Sequence, residues 1–240
     1  MDTSRRPATP AARWGPGETE VVTRRGDPHA AVLAHAAELL RRGELVAFPT
    51  DTVYGVGAVV WDAAAVAKLY TAKLRSLDKA IPVLLADPDD VTLVAGDLPA
   101  AVLRIAERFW PGPLTLVVPK GERVPAEVTS GGVTVAVRVP DHPLARALIR
   151  AAGAPVATTS ANLSGQPSPV TAQDVEAQLR GRVALILDGG PCPGGVPSTV
   201  VDVSGPQPVI LRPGPISLEQ IVEASELPGA SAVVRDAHRD

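Results

Sequence analysis

One cysteine in 240 residues excludes an internal disulfide framework, and Cys192 stands alone. Histidine is equally scarce, and the four present are scattered, which leaves no ligand cluster for structural zinc. That usage leads us to expect a reducing, cytoplasmic setting. The aromatics are Trp14, Trp61, Trp110, Tyr54, Tyr70, Phe48 and Phe109, thin material for base-stacking platforms. A net charge of −3 argues against a surface that grips nucleic acid everywhere, while leaving room for a local basic site. No uninterrupted apolar run approaches the roughly 20 residues of a membrane helix, so no membrane partner is expected. Met1 to Pro16 carries arginines but no apolar stretch of the kind a secretory signal needs.

What the chain has in quantity is punctuation. Its 21 glycines and 25 prolines make up nearly a fifth of the residues and imply many tight loops between short elements. Hydrophobic residues at 45% and charged residues at 20% are ordinary for a globular domain. Residues 1–26 read as an N-terminal arm ending in an edge strand near Glu20–Thr23, residues 27–225 as one folded domain, and residues 226–240 as a tail. Apolar residues at helical spacing from Ala31 to Leu40 follow a capping Asp27 and Pro28. Further helices are expected at Ala63–Ala72, Val91–Ala95, Ala100–Phe109, Leu144–Ala152, Ala172–Leu179 and Leu218–Ala224. Strands are expected at Leu45–Phe48, Val56–Val60, Ile81–Ala86, Leu114–Val118, Val133–Val139, Val156–Thr159, Val183–Leu187, Thr199–Val203 and Val209–Leu211. Near-continuous apolar strands interleaved with helices predict an α/β domain whose sheet is covered on both faces. No helix is evident between Leu114–Val118 and Val133–Val139, so the sheet is predicted to be mixed.

Several chemistries are excluded by motif. There is no Walker-type phosphate loop, and Val60 stands where a dinucleotide fingerprint starting at Gly55-Val56-Gly57 needs its third glycine. No nucleophile elbow or His-Glu-x-x-His helix occurs, and Asp141-His142 has no serine at a triad-like spacing.

Four polar clusters remain. Lys68, Lys73 and Lys79, three of only four lysines, gather with Arg75 at a helix end, and an ammonium with a planar guanidinium suits a polyphosphate. A solvated helix terminus would explain them too. Pro49 to Gly57 sets three hydroxyl-bearing side chains and Asp51 at a strand end, where α/β sheets place ligands, although turn chemistry uses the same residues. Thr158-Thr159-Ser160-Ala161-Asn162 and Ser164 to Ser168 offer neutral donors for phosphate or ribose oxygens, or form a plain polar turn. Arg138 and Arg212 emerge from apolar strands, where a charge must be ion-paired or face an anion. Gly131-Gly132 and Gly189-Gly190 flank them. Four such clusters at strand ends point together to one anion-binding cleft.

Seven motifs then occur in order: Pro49–Gly57, Ala72-Lys73-Leu74-Arg75, Trp110–Thr115, Val135–Arg138, Thr159–Asn162, Gly195–Thr199 and Leu211–Gly214. In these the chain resembles the L-threonylcarbamoyladenylate synthase family (the YrdC-like domain) over roughly Val32 to Ile221, in its short single-domain form. The resemblance implies a twisted mixed parallel/antiparallel sheet flanked by helices around a deep basic cleft. It implies condensation of L-threonine, bicarbonate and ATP to threonylcarbamoyl-AMP and pyrophosphate, a nucleotidyltransferase reaction, with Mg²⁺ held by the phosphates and not by protein side chains. The product would pass to a threonylcarbamoyl transferase complex that modifies tRNA, with transient tRNA contact. Carried over by motif, Lys73, Arg75, Ser160 and Asn162 form the catalytic tetrad. Thr52, Arg138, Thr158 and Ser198 line the threonine pocket, and Arg75, Lys79, Thr134, Ser160, Ser168 and Arg212 contact ATP. The chain departs from the pattern at Ser76, where relatives usually carry proline, and at Lys79-Ala80-Ile81.

Two other readings are compatible with the residues. One is a paralogue with the same cleft and a different acyl or carbamoyl substrate, and the other is an RNA-binding module using the basic concavity for backbone phosphates.

Overall fold

Three helices in this chain begin where a side chain satisfies a free N–H group of the first turn. Asp62 accepts from the Ala65 amide at 2.9 Å and opens α2 (Ala63–Lys73), while reciprocal caps at Thr171/Asp174 and Ser217/Gln220 open α6 (Ala172–Leu179) and α7 (Leu218–Ser225). The computed structural model describes residues 18–23, 29–226 and 233–234. The expected caps Asp27 and Pro28 of α1 (His29–Arg41) lie outside these, as do residues 1–17 of the arm. The remaining helices are α3 (Ala100–Phe109), the single turn α4 (Ala126–Thr129) and α5 (Pro143–Ala152), which stops at Gly153 with φ 73°.

The strands are β1 (Glu20–Thr23), β2 (Val46–Phe48), β3 (Gly55–Val59), β4 (Val83–Leu84), β5 (Leu114–Pro119), β6 (Thr134–Arg138), β7 (Val156–Ser160), β8 (Leu185–Asp188), β9 (Thr199–Asp202), β10 (Val209–Arg212) and β11 (Val233–Val234). They form one sheet in the order β1-β8-β2-β3-β7-β4-β6-β5-β9-β10-β11. Parallel pairs such as β4 with β6 and β5 with β9 alternate with antiparallel ones such as β3 with β7 and β5 with β6, so the sheet is mixed as predicted.

Successive strand residues point to opposite faces, and the core divides accordingly. Leu45, Ala47, Val56, Ala58 and Ile186 pack with buried residues of α2, α3, α6 and α7. Val46, Phe48, Val156, Leu185 and Leu187 pack on the other face against Leu40 of α1 and Leu148 of α5. No helix among the described residues is long and apolar enough to cross a membrane.

Four local expectations need correction. The strand expected over Ile81–Ala86 shrinks to Val83–Leu84, because Pro82 has no N–H to donate, though its carbonyl still accepts from the Thr158 amide at 2.7 Å. The helix expected at Val91–Ala95 is a 3-10 helix over Pro88–Leu93, fixed by reciprocal bonding between Asp87 and Asp90. A helical turn, α4, does intervene between β5 and β6, too short to show periodicity. Within the segment read as tail, Val233–Val234 adds a parallel strand beside β10.

Candidate active site

Short side chains at alternate strand positions leave a hollow over the middle of the sheet. Gly55 of β3, Thr158 and Ser160 of β7, Ala136 of β6 and Thr115 of β5 line a cavity of about 340 Å³, on the sheet face that bears Leu84 and Val156. Three guanidinium groups, those of Arg75, Arg138 and Arg212, reach this cavity from distant segments, and among the described residues no acidic side chain lines it. Thr52, Ser168 and Ser198 complete its polar wall, and Val53, Pro82, Leu84 and Val200 give it apolar patches.

Arg138 is the most enclosed of the three. Its Nε donates to the Gly112 carbonyl at 2.9 Å, Nη1 to Thr52 Oγ1 at 3.0 Å and Nη2 to Asp51 Oδ1 at 2.5 Å. The Arg138 and Asp51 side chains are 7% and 12% exposed, so the pair is fixed in a poorly screened environment. Thr52 is itself held by a turn in which Thr50 Oγ1 accepts from the Thr52 and Val53 amides and donates to the Val53 carbonyl at 2.7 Å.

Arg75 and Arg212 lean on neutral oxygens. Arg75 donates to the carbonyls of Lys79 (3.1 Å) and Ala80 (2.8 Å). It is aimed by Leu74, which ends α2 in the left-handed region at φ 53°. Arg212 donates to the Ser198 carbonyl and, at 3.1 Å, to Ser198 Oγ, which is 2.8 Å from Thr115 Oγ1. Burial depresses the basicity of Arg212, and the fields of Arg138 and Arg75 depress it further. Three guanidinium groups reach a hollow that no acidic side chain lines among the described residues, an arrangement chemically suited to an anion.

Lys73 is behind this wall, not in it. Its Nζ donates to the carbonyls of Ser160 and Asn162 and, at 3.4 Å, to Asn162 Oδ1. Asn162 Nδ2 donates to the carbonyls of Leu163 and Gln166, knitting the turn that follows β7. Burial, then the Arg75 charge, lower the Lys73 pKa to about 7.

Of the residues singled out in the sequence, Thr52, Arg75, Arg138, Thr158, Ser160, Ser168, Ser198 and Arg212 line the one cavity. Lys73 touches its wall through the Ser160 carbonyl, and Asn162 is tied to it through Lys73. Lys79 is exposed and outside the lining, and Thr134 sits on the same face of β6 as Ala136 but beyond the rim. Thr50, Tyr54, Thr115 and Thr159 line the cavity although no site role was assigned to them from the sequence. A hydroxyl inside the apolar strand Leu114–Val118 was the available signal for Thr115.

The Sua5/YciO/YrdC family model, described as "Telomere recombination", matches residues 38–214. The chain belongs to the Sua5/YciO/YrdC family. This Sua5/YciO/YrdC chain is 50% identical over 190 residues to a protein named threonylcarbamoyl-AMP synthase from Bacillus subtilis, covering 79% of this chain and 55% of that one. It is 46% identical over 186 residues to one of the same name from Pyrococcus abyssi, covering 78% and 55%. It therefore spans about half the length of these curated relatives. The crystal structure of P. abyssi Sua5 complexed with L-threonine superposes with a TM-score of 0.83 at 41% identity, covering 90% of this chain and 62% of that one.

Proposed function

We propose that this chain is a threonylcarbamoyl-AMP synthase, condensing L-threonine, bicarbonate and ATP to threonylcarbamoyl-AMP and pyrophosphate. The observation that carries the reading is the convergence of Arg75, Arg138 and Arg212 with a ring of hydroxyls on one acid-free cavity. Relatives that bear the enzyme's name and a related structure holding L-threonine support it.

In this reading the carboxylate of threonine meets Arg138, with Thr52, Thr158 and Ser198 around the amino acid. Arg75 and Arg212 face the triphosphate, and Ser160 and Ser168 supply neutral donors. The amine of threonine attacks bicarbonate, and water leaves to give a carbamate. A carbamate oxygen then attacks the α-phosphorus of ATP, and pyrophosphate departs. No lining side chain is placed as a dedicated base, so the chain contributes alignment and a field that stabilises charge on the leaving pyrophosphate. Mg²⁺, if it accompanies ATP, would be held by the phosphates and not by protein side chains, and would supply neutralisation of phosphate charge. The lining offers it hydroxyls and guanidiniums only. The adenylate then supplies a transferase complex that forms N6-threonylcarbamoyladenosine in tRNA, in the cytoplasm.

The test is direct. The protein with ATP, Mg²⁺, bicarbonate and labelled threonine is expected to yield a labelled adenylate and pyrophosphate, with serine far poorer. Pyrophosphate release indifferent to threonine would replace this reading with that of a carbamoyl-adenylate paralogue.

A further inference from the structure

The three cavity arginines differ in one respect that the proposed reaction leaves unexplained. Among the described residues, Arg138 is ion-paired with Asp51, whereas Arg75 and Arg212 have no carboxylate within salt-bridge distance, and Asp78 acts on Arg75 only from farther off. We propose that Asp51 is a specificity-determining residue, cancelling the charge of Arg138 so that this end of the cavity accepts an amino-acid zwitterion and rejects phosphate. The proposal rests on the synthase reading and deepens it.

The geometry supplies the argument. Three of the five guanidinium N–H groups of Arg138 are donated to Gly112, Thr52 and Asp51, which leaves two to receive a ligand carboxylate. Asp51 does not line the cavity; it lines a second hollow on the far side of Thr52, with Pro111, Pro193 and Gly194. It therefore acts on a ligand only through Arg138 and its field. Backbone bonds hold it there: the amides of Gly194 and Gly195 donate to the carbonyls of Asp51 and Thr52. A Cβ on Gly194 would come within 2.6 Å of the Asp51 carbonyl. A lone buried arginine would attract the most highly charged anion available, which beside ATP is a phosphate group. Paired with a carboxylate it presents donors with little net charge, which suits a ligand that is itself neutral overall. Arg75 and Arg212, outside any ion pair among the described residues, leave their charge uncancelled for the phosphates.

The experiment compares wild type, Asp51→Asn and Asp51→Glu in the full chain. Calorimetry gives threonine and ATP affinity, and steady-state kinetics give the pattern of pyrophosphate inhibition. In wild type, pyrophosphate is expected to compete with ATP and not with threonine. In Asp51→Asn, threonine binding should weaken about tenfold or more, ATP affinity should stay within about threefold, and pyrophosphate should become competitive with threonine. Asp51→Glu should restore the wild-type inhibition pattern. Pyrophosphate competing with threonine in wild type overturns the proposal even if the asparagine variant does not fold. So does an asparagine variant whose threonine and ATP affinities fall together, or one that changes neither. Wild type that binds no threonine at all would instead overturn the synthase reading.

Discussion

Lys73, with 1% of its surface exposed, keeps its Nζ among three oxygens of Ser160 and Asn162, although its place in the sequence suggested a phosphate ligand. Burial lowers its pKa from an ordinary value of about 10.4 to about 7. Between those values the unfolded chain still carries a proton that the folded protein has released, so stability rises with pH across the window. Cys192 works oppositely: burial raises its pKa to about 11, so its contribution falls once pH exceeds the thiol's ordinary value of about 8.5. The clean interval is therefore pH 7 to 8.5, where wild type should gain up to about 2 kcal/mol in urea titrations. Lys73→Met should lose that gain and about 1–3 kcal/mol at pH 7, because two carbonyls lose their donor. Superimposable pH profiles for the two proteins would remove this account of Lys73. Arg75 reaches the cavity itself, and Arg75→Ala should lower turnover by about 10²-fold or more, read from adenylate formation at saturating ATP. Near-normal turnover would take Arg75 out of the chemistry.

The elements themselves were legible where local chemistry decides them. Ala100–Phe109 and Ala172–Leu179 match their expected bounds because apolar periodicity coincides with flanking signals, Pro99 and Trp110-Pro111 for the first and Thr171 for the second. Legibility failed where long-range bonding decides. Ile81–Ala86 looks like one apolar strand, yet the Ile81 amide donates to the Val128 carbonyl of α4, and the strand proper is Val83–Leu84, with Pro82 and Leu85 adding single bonds to β7 and β6. The strand ends that build the site depend on close approach, as at Gly214 after β10. A Cβ there would lie 2.4 Å from the Thr199 amide nitrogen and 2.7 Å from the Ser198 carbonyl carbon, backbone atoms with little room to move. Gly214→Ala should therefore push Arg212 away from Ser198, cost about 1–3 kcal/mol and raise KM for ATP more than KM for threonine. Gly205, whose added Cβ would meet nothing within 4 Å, is the control; its alanine variant should stay within about 0.5 kcal/mol of wild type. Equal losses for the two would sink the close-approach argument.

At the scale of the whole molecule, no local pattern could bring Arg75, Arg138 and Arg212 together, since they sit on α2's exit, β6 and β10. Their meeting follows from a strand order in which β4 and β6 pair in parallel and β9 returns beside β5. The four polar clusters at strand ends already pointed to one cleft, and the seven ordered motifs, through the family resemblance, gave its residues their expected roles. The convergence also fixes how the molecule should respond to ligand. Burial, and then the fields of Arg138 and Arg75, lower the basicity of Arg212, so an anion that meets Arg212 and Arg75 offsets repulsion present in the fold. Magnesium-free pyrophosphate at about 100 times its Kd should stabilise the protein by about 2.7 kcal/mol in thermal melts. The shift should shrink as salt rises, because part of the attraction is screened over about 10 Å at 0.1 M ionic strength. Arg212→Met separates this from a general salt effect. Losing its bonds to Ser198 and losing the repulsion oppose one another, so the ligand-free variant should differ from wild type by less than about 1 kcal/mol. Its pyrophosphate shift should nevertheless be largely gone, and sulfate at equal ionic strength should shift neither protein as far as pyrophosphate shifts wild type. A variant that keeps the full shift would mean that pyrophosphate binds elsewhere, and that the three guanidiniums do not act as one site.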